Sequence, residues 1–417
     1  MGDPTPCGAA WTRRAFLIAC GSAVGTTANL AVRPNTARVV PGRVSANERL
    51  NIACIGCGGM GEEDIGEYLD ENIVGLCDVD PARAQKAYRY LTDVPKFTDY
   101  RRMLDAVDDI EAVSIATPDH THAVAAYAAM QRGKHVYVQK PMTQTIAEAR
   151  LLTDYAADTG LVTQMGNQGH SLDDTRELCE MVWGGAIGAV QEVHAWTYRP
   201  AGRWPQGIAG RPAPTPAPET LEWDLWLSVA APRPYSEAYV PRNWRGWYDF
   251  GAGALGDMAC HVLDGAWWSL RLDAAASYSV EIIDATDRNA YSFPAAQVLR
   301  YRFPARADLG PVDVYWYDGH NVPPWPAGLP RSEELGDGGE LGANDGAYFV
   351  GSEGLLTHGT YGNRPHLLPV SRMESYTKPA PSLPRIHRQN HYKNWVAACK
   401  GAEAASSPFS YAGPFTI

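Results

Sequence analysis

The stretch "RLNIACIGCGGMGEEDIGEYL", residues 49–69, decides the fold of the first part of the chain. It opens with a short apolar run followed at once by glycine, which is typical of a buried parallel β-strand. Gly56, Gly58 and Gly61 then form G-x-G-x-x-G ahead of an apparent helix. This spacing permits a tight turn, close backbone approach to a pyrophosphate and close helix–strand packing. The predicted dinucleotide-binding turn comprises Gly56, Gly58, Gly59, Met60 and Gly61.

An acidic residue closes the next predicted strand, "NIVGLCDVD", residues 72–80. Asp78 lies 22 residues after Gly56, near the spacing expected for a carboxylate that binds the adenosine ribose hydroxyls. A carboxylate there repels a 2′-phosphate, and no arginine follows immediately. The sequence therefore predicts NAD as the cofactor in preference to NADP.

Strands and helices continue to alternate up to about residue 165, which predicts a doubly wound parallel sheet. Ligands of such sheets bind at the carboxyl ends of the strands. Two predicted strand ends carry several polar or ionisable side chains: "ATPDHTH", residues 116–122, and "QKP", residues 139–141. They add to the predicted cofactor site the residues Thr117, Pro118, His120, His122 and Lys140.

From about Gly166 the pattern changes to longer runs with alternating apolar and polar residues. These predict an α+β domain with a large, mostly antiparallel sheet. The runs are "AVQEVHAWTYRP", "SYSVEIIDAT", "AQVLRYRFPA", "PVDVYWYDG" and "GAYFVGSEGLLTHG". Prolines over 199–218 exclude regular structure and predict an extended loop. We therefore divide the chain into a leader at 1–45, a Rossmann domain at 46–165 and a substrate-binding domain at 166–417.

The segment "GALGDMACHVLD", residues 253–264, predicts a helix from about Asp257. On that helix Asp257, His261 and Asp264 follow the spacing i, i+4, i+7 and share one stripe. Such a stripe is either a solvated helix face or the working face of an active site. This segment alone does not decide between them.

The charge and the tryptophan content of the chain indicate which kinds of ligand it binds. Lys and Arg number 36 against 47 Asp and Glu, a net charge of −11, which argues against nucleic acid because phosphate binding needs a basic surface. Nine of the 13 tryptophans fall between Trp183 and Trp268. They are either core residues or the wall of a cleft for a ligand with CH-rich faces, such as a sugar.

The first residues predict export. Arg13 and Arg14 precede a weakly apolar stretch, "AFLIACGSAVGTTANLAV", which is typical of a twin-arginine signal and a periplasmic protein. The stretch is too polar and short to span a membrane, so we expect no membrane association after signal removal. The alternatives are a chance arginine pair or a lipoprotein site at Cys20.

Cys54 and Cys57 form C-x-x-C without further ligand spacing, so no metal site is predicted.

Together the motifs "GCGGMG", "CDVD", "ATPDHTH", "QKP" and "GDMACH" resemble the Gfo/Idh/MocA family of NAD(P)-dependent oxidoreductases. The resemblance runs from about Leu50 to the end, and it is closest to exported members found beside carbohydrate-degrading genes. It implies a small-molecule carbohydrate substrate and a homo-oligomer. Members usually continue beyond "SYAGPFTI" through a helix and a strand, so the C-terminus is either truncated or shorter than in those members.

The family's Glu-Lys-Pro motif implies that Lys140 lies near the nicotinamide and the substrate, with Gln139 in place of the glutamate. Its Asp-x-x-x-His pair maps onto Asp257 and His261. We assign His261 as general acid/base, with Asp257 orienting it and Lys140 stabilising alkoxide charge. Lys140 and His261 can also exchange the base role. Further substrate contacts are predicted at Asn167, Gln168, His170, Trp244 and Arg245.

Three functions are compatible with these residues. The favoured one is reversible hydride transfer between NAD and a sugar, polyol or glycoside derivative. The second is an NAD-dependent glycoside hydrolase that oxidises the sugar transiently and would use the same Lys140 and His261. The third is a dinucleotide-binding sensor without catalysis, which the joint presence of lysine, aspartate and histidine disfavours.

Overall fold

The computed structural model describes residues 49–306 and 308–417, so the predicted signal and linker at 1–45 lie outside the described residues. The first sheet has six strands, all paired in parallel, in the order β3-β2-β1-β4-β5-β6. They are β1 (Asn51–Ile55), β2 (Asn72–Cys77), β3 (Lys96–Phe97), β4 (Ala112–Ile115), β5 (His135–Val138) and β6 (Thr163–Met165). The predicted doubly wound domain is confirmed.

Helices connect these strands. They are α1 (Met60–Glu67), α2 (Gln85–Tyr90), α3 (Tyr100–Ala106), α4 (Asp119–Met130) and α5 (Ile146–Thr159). Local sequence sets the ends of α5: Thr145 and Glu148 form a reciprocal capping box at its start, and Gly160 ends it with a φ of 67°. Because β1 leads straight into α1 through the glycine turn, the N-terminus of α1 opens at the carboxyl edge of the sheet.

The second sheet has seven strands in the order β13-β12-β11-β7-β10-β9-β8, antiparallel except for the pair β7–β10. They are β7 (Val190–Trp196), β8 (Ser279–Ala285), β9 (Gln297–Phe303), β10 (Val312–Tyr317), β11 (Gly346–Gly351), β12 (Gly354–His358) and β13 (His366–Leu368). The expected mostly antiparallel sheet is confirmed, and 199–218 carry neither helix nor strand. The run at 346–358 is a hairpin, because Ser352 and Glu353 turn the chain.

The helices of the second half include the segment with the polar stripe. They are α6 (Asp173–Trp183), α7 (Trp223–Leu227), α8 (Gly253–Val262), α9 (Asp264–Ser269), α10 (Val370–Glu374), α11 (His391–Cys399) and α12 (Phe409–Thr416). Helix α8 begins at Gly253, four residues before the predicted start, and ends before Asp264. The predicted stripe is therefore divided, with Asp257 and His261 on α8 and Asp264 at the start of α9.

The last helices return to the first domain. Trp395 and Val396 of α11 share a core with Leu50 and Ile52, beside β1. Phe409 and Ala412 of α12 belong to the core on the other part of the same domain. Residues 391–416, which the sequence division assigns to the second domain, thus complete the hydrophobic core of the first. No described helix is both long enough and apolar enough to cross a membrane.

Candidate active site

A cleft of about 1050 Å³ opens where the carboxyl edge of the first sheet meets the second domain. The glycine turn and the strand ends after β2, β4 and β5 form one wall. The segments around 199–245, α8 and the start of α11 form the other. Predicted site residues on its surface are Gly56, Gly58, Gly59, Met60, Asp78, Thr117, Pro118, Lys140, Gln168, Trp244, Arg245, Asp257 and His261.

The geometry of the glycine turn fits a dinucleotide. A Cβ at Gly56 would lie 2.6 Å from the carbonyl oxygen of Ala116, and its φ of 82° is left-handed. A Cβ at Gly61 would lie 1.9 Å from the carbonyl oxygen of Gly56. Gly59 also has a positive φ, 59°, but faces open space. The turn is thus closed by backbone packing on one side and open to a ligand on the other.

Asp78 lies beside this turn. Its carboxylate accepts hydrogen bonds from the backbone N–H groups of Cys57, at 2.8 Å, and Asp80, at 2.9 Å. Burial raises the pKa of Asp78, and these N–H donors oppose that rise. Because the carboxylate both braces the turn and lines the cleft, it fits the predicted partner for ribose hydroxyls.

Only some residues of the segment 116–122, which follows β4, face the cleft. Thr117 and Pro118 line the cleft, whereas the two histidines are not among the lining residues. The Nε2 atom of His120 lies 3.0 Å from the carbonyl oxygen of Trp226, and Nε2 of His122 lies 2.8 Å from that of Thr117. Burial lowers the pKa of each histidine to about 4. The structure therefore places both rings behind the wall, where they bind backbone.

The cysteine pair lies in the core below the turn. Cys54 belongs to β1, and the Sγ of Cys57 donates to the carbonyl oxygen of Cys77 at 3.5 Å. Burial raises the pKa of both thiols, which disfavours the thiolate needed for redox or metal chemistry. Within the described ranges, no three His, Cys, Asp or Glu side chains are grouped as a metal site.

Lys140 and Asp257 form the centre of the cleft. The Nζ atom of Lys140 donates to Oδ1 of Asp257 at 2.8 Å and to its carbonyl oxygen at 2.7 Å. Arg199 and Arg245 also bind this carboxylate, at 3.1 and 3.0 Å. Burial alone would raise the pKa of Asp257, but Lys140 and then Arg245 hold it well below its usual value. Asp257 is therefore ionised and surrounded by three cations.

His261 lies one helical turn after Asp257 and lines the same cleft. Its ring packs edge-on against Tyr361 at a centroid distance of 4.9 Å, and its Nδ1 has no hydrogen-bond partner in the described part of the chain. Burial and then the charge of Lys140 lower its pKa well below the usual value, so the ring is neutral. The expected orienting contact from Asp257 is not formed, because that carboxylate binds cations.

Asp264 organises the wall behind the cleft. Its carboxylate accepts from Nδ1 of His170 at 2.9 Å, from the hydroxyl of Tyr411 at 2.6 Å and from Nδ2 of Asn167 at 3.3 Å. His170 and Asn167 are buried and do not line the cleft, unlike the other three predicted substrate contacts, Gln168, Trp244 and Arg245.

Sequence reasoning missed two charged residues of the site. Arg199 comes three residues after the end of β7, so its position at a strand end was the available signal. Asp119 stands inside "ATPDHTH" as the first residue of α4. It is buried, and burial raises its pKa to about 7 although the charge of Arg245 opposes the rise.

Comparison with protein families agrees with this geometry. Residues 50–167 match the model described as an oxidoreductase family with an NAD-binding Rossmann fold. Residues 194–306 match the C-terminal alpha/beta domain of the same oxidoreductases. The chain belongs to the Gfo/Idh/MocA family. Its first domain is thus an NAD-binding Rossmann domain, as the glycine turn predicts.

Several curated proteins are similar in sequence to this Gfo/Idh/MocA chain. Levoglucosan dehydrogenase of Pseudarthrobacter phenanthrenivorans is 26% identical over 228 residues, 52% of this chain and 50% of the relative. A glycosyl hydrolase family 109 protein of a Shewanella species is 35% identical over 158 residues, 34% and 33% of the two chains. D-glucoside 3-dehydrogenase of Escherichia coli is 28% identical over 157 residues, 37% and 44%. The chain thus spans half or less of these relatives.

Solved structures share the fold over most of the chain. The WlbA dehydrogenase of Bordetella pertussis, in complex with NADH and UDP-GlcNAcA, has a TM-score of 0.59 at 16% identity, covering 88% of this chain and 94% of its own. Levoglucosan dehydrogenase with NADH and L-sorbose has a TM-score of 0.56 at 19% identity, covering 89% and 94%. At 16% and 19% sequence identity, these comparisons show a shared fold.

Proposed function

We propose that this protein catalyses reversible hydride transfer between NAD and a hydroxyl-bearing carbon of a sugar, polyol or glycoside. The observation that carries the proposal is the position of Lys140 and His261 in one cleft with the NAD-binding turn. Relatives named for sugar dehydrogenation, levoglucosan dehydrogenase and D-glucoside 3-dehydrogenase, support a carbohydrate substrate.

When bound, NAD supplies the hydride acceptor. Oxidation of an alcohol also releases the hydroxyl proton, and the neutral ring of His261 can accept it. Lys140 uses two of its three N–H groups on Asp257, and the third is free to donate to the substrate oxygen and to stabilise alkoxide charge. Asp257 acts as a positioning residue, because it holds the ammonium group and stays ionised.

Transient oxidation within glycoside cleavage is the second candidate. The match to glycosyl hydrolase family 109 proteins at 35% identity favours it. In that reaction NAD would accept a hydride from the sugar, a base would remove a proton as the aglycone leaves, water would add to the resulting double bond, and the hydride would return to the sugar. Lys140 and His261 serve both reactions, and net NADH distinguishes them.

Incubation with matched alcohols, ketosugars and aryl glycosides tests the two candidates. NADH absorbance and sugar products are followed in the same samples. A ketosugar formed with stoichiometric NADH supports the dehydrogenase. Free sugar and aglycone without net NADH support the hydrolase. Binding of NAD without turnover of any compound would instead support the sensor.

We further propose export by the twin-arginine route to the periplasm, from Arg13 and Arg14 and the stretch that follows them. That route carries folded proteins, and NAD is scarce outside the cytoplasm, so the cofactor would travel tightly bound. Denaturing protein that was purified without added nucleotide should release NAD, which mass spectrometry would detect. A nucleotide-free protein would contradict tight binding.

We propose that the protein forms a homo-oligomer through the open face of its second sheet. The edge strand β8 exposes three aliphatic side chains, Val280, Ile282 and Ile283, each about half accessible. An exposed apolar strand at a sheet edge favours association. Light scattering of the purified protein should give a multiple of the single-chain mass, which is 45.4 kDa for the chain with its leader. A single-chain mass would contradict this proposal.

A further inference from the structure

The two walls of the cleft carry opposite charge. The wall built by residues 56–140 presents five acidic side chains against two basic ones. These acidic residues are Glu63, Glu67, Asp78, Asp80 and Asp119, and the basic residues are Arg83 and Lys140. The wall built by residues 168–392 presents four arginines, Arg199, Arg203, Arg242 and Arg245, against Asp257 alone. The charge is therefore divided between the domains, with the positive side opposite the dinucleotide turn.

The centre of the cleft keeps a positive surplus after its internal ion pairs are counted. Lys140, Arg199 and Arg245 share the single carboxylate of Asp257. Asp119 is a second acid that lines this part of the cleft, and burial raises its pKa to about 7. Asp345 also acts electrostatically on Arg199 but does not line the cleft, so on the cleft surface three cations face at most two carboxylates. An additional negative charge would be stabilised there.

Hydrogen-bonding groups in the same place lack partners. The Nε atom of Arg199 is buried without a hydrogen bond, and so is Nδ1 of His261. Leaving such polar atoms unsatisfied is costly, so they point to a ligand that completes them. Arg203 and Arg242 line the same wall and are not bound to Asp257, although Nε and Nη2 of Arg203 donate to the hydroxyl of Tyr198. Nη1 of Arg203 and the guanidinium of Arg242 can therefore donate to a second group on the ligand.

We infer that the carbohydrate substrate carries an oxyanion group, such as a carboxylate, and that Arg199, Arg203 and Arg242 form the subsite for it. A guanidinium binds planar oxyanions through paired N–H donors, which matches an arginine-lined wall better than a neutral hydroxyl would. This inference rests on the proposed hydride transfer for the identity of the ligand as a sugar. The positive wall itself does not depend on that reaction.

Matched pairs of methyl glycosides and methyl glycosiduronates in the gluco, galacto and manno series test the inference. Sugar 6-phosphates and 6-sulfates form separate arms that distinguish tetrahedral oxyanions from carboxylates. Affinity for protein loaded with NADH is measured by calorimetry, and turnover with NAD is measured separately. One charged hydrogen bond corresponds to about a 10-fold to 100-fold preference for the acidic member, and added salt should reduce it.

The variants Arg203→Gln and Arg242→Gln should each reduce that preference about tenfold. Arg302→Gln is the matched control, because Arg302 is half-exposed on β9 and does not line the cleft. A loss confined to NAD affinity would overturn the inference by assigning these arginines to the cofactor phosphates. So would equal affinity for acidic and neutral members in every pair.

The two proposals fail in different ways. Tighter binding of acidic sugars without any turnover would keep the anion subsite and remove the hydride-transfer proposal. Turnover of neutral sugars without a preference for acidic ones would keep hydride transfer and remove the anion subsite.

Discussion

The side-chain amide of Gln139 donates from Nε2 to both carboxylate oxygens of Asp64, at 2.9 and 3.0 Å. Tyr392 donates to the same carboxylate at 2.9 Å. The family motif places a glutamate where this chain has Gln139. In this protein a carboxylate is therefore present beside Gln139, and α1 supplies it. Burial raises the pKa of Asp64 to about 7, and these two donors oppose that rise.

The variant Gln139→Glu should be destabilised, and more so at high pH. It removes a donor to Asp64 and places a second buried carboxylate next to it. The folded pKa of Asp64 is already above its unfolded value, so its stabilisation is complete at low pH and is lost as the pH rises through about 7. Thermal unfolding should show an added loss of roughly 1–3 kcal/mol at pH 8.5 relative to pH 5.

The double variant Asp64→Asn with Gln139→Glu is the matched control for this prediction. It restores one amide and one carboxylate in exchanged positions, so it should recover most of the lost stability at pH 8.5. A Gln139→Glu protein whose stability shows the same pH dependence as the wild type would refute the assignment.

The variant His261→Ala should keep NAD affinity and lose turnover by about 10²–10⁴-fold, the usual contribution of a general base. Because the pKa of His261 lies well below its usual value, its neutral form persists through the physiological range. Its protonation should therefore not reduce kcat/KM between pH 8 and 6. The exposed His320→Ala is the control. A midpoint near 6.5 that vanishes in His261→Ala would show that the ring titrates normally.

Two glycines of α1 provide a matched test of the dinucleotide turn. Gly61→Ala would place a Cβ 1.9 Å from the carbonyl oxygen of Gly56, so the turn must shift and NAD affinity should fall by at least tenfold. At Gly66 nothing lies within 4 Å of an added Cβ. Gly66→Ala should keep NAD affinity and stabilise the helix by up to about 1 kcal/mol. Equal NAD affinity in both variants would exclude the turn from binding.

The variant Asp78→Ala should weaken NAD and reduce the discrimination against NADP. Its carboxylate lines the cleft beside the turn, where it would bind ribose hydroxyls and repel a 2′-phosphate. Dissociation constants for both nucleotides give the test, with the exposed Asp93→Ala as control. Unchanged affinity for both nucleotides would remove Asp78 from the ribose site.

Local patterns are sufficient to predict the parallel strands and the glycine turn of the first domain. The turn between β1 and α1 is predictable because its glycines are required by contacts a few residues away or on the adjacent strand, such as Gly56 with Ala116. Lys140 lines the cleft because it lies two residues after the end of β5. Burial at a parallel sheet leaves a strong apolar signature, so these strands were recognisable.

Long-range packing accounts for what the sequence did not reveal. His120 and His122 stand in a motif at a strand end, yet their rings bind backbone carbonyls, including that of Trp226 over a hundred residues away. The start of α8 at Gly253 depends on a close approach to Phe293, since a Cβ there would lie 2.6 Å from that ring. The contact of Arg199 with Asp257 depends likewise on the packing of α8 against β7, since Met258 shares a core with Ala195.

The return of residues 391–416 to the first domain sets an order on biosynthesis. Trp395 and Phe409 fill cores that β1 and β6 begin more than 200 residues earlier. While the chain is being made, the nucleotide-binding half therefore waits with apolar surface uncovered until nearly all of the protein has left the ribosome. Burial of both cores of this domain then requires synthesis through Trp395 and Phe409.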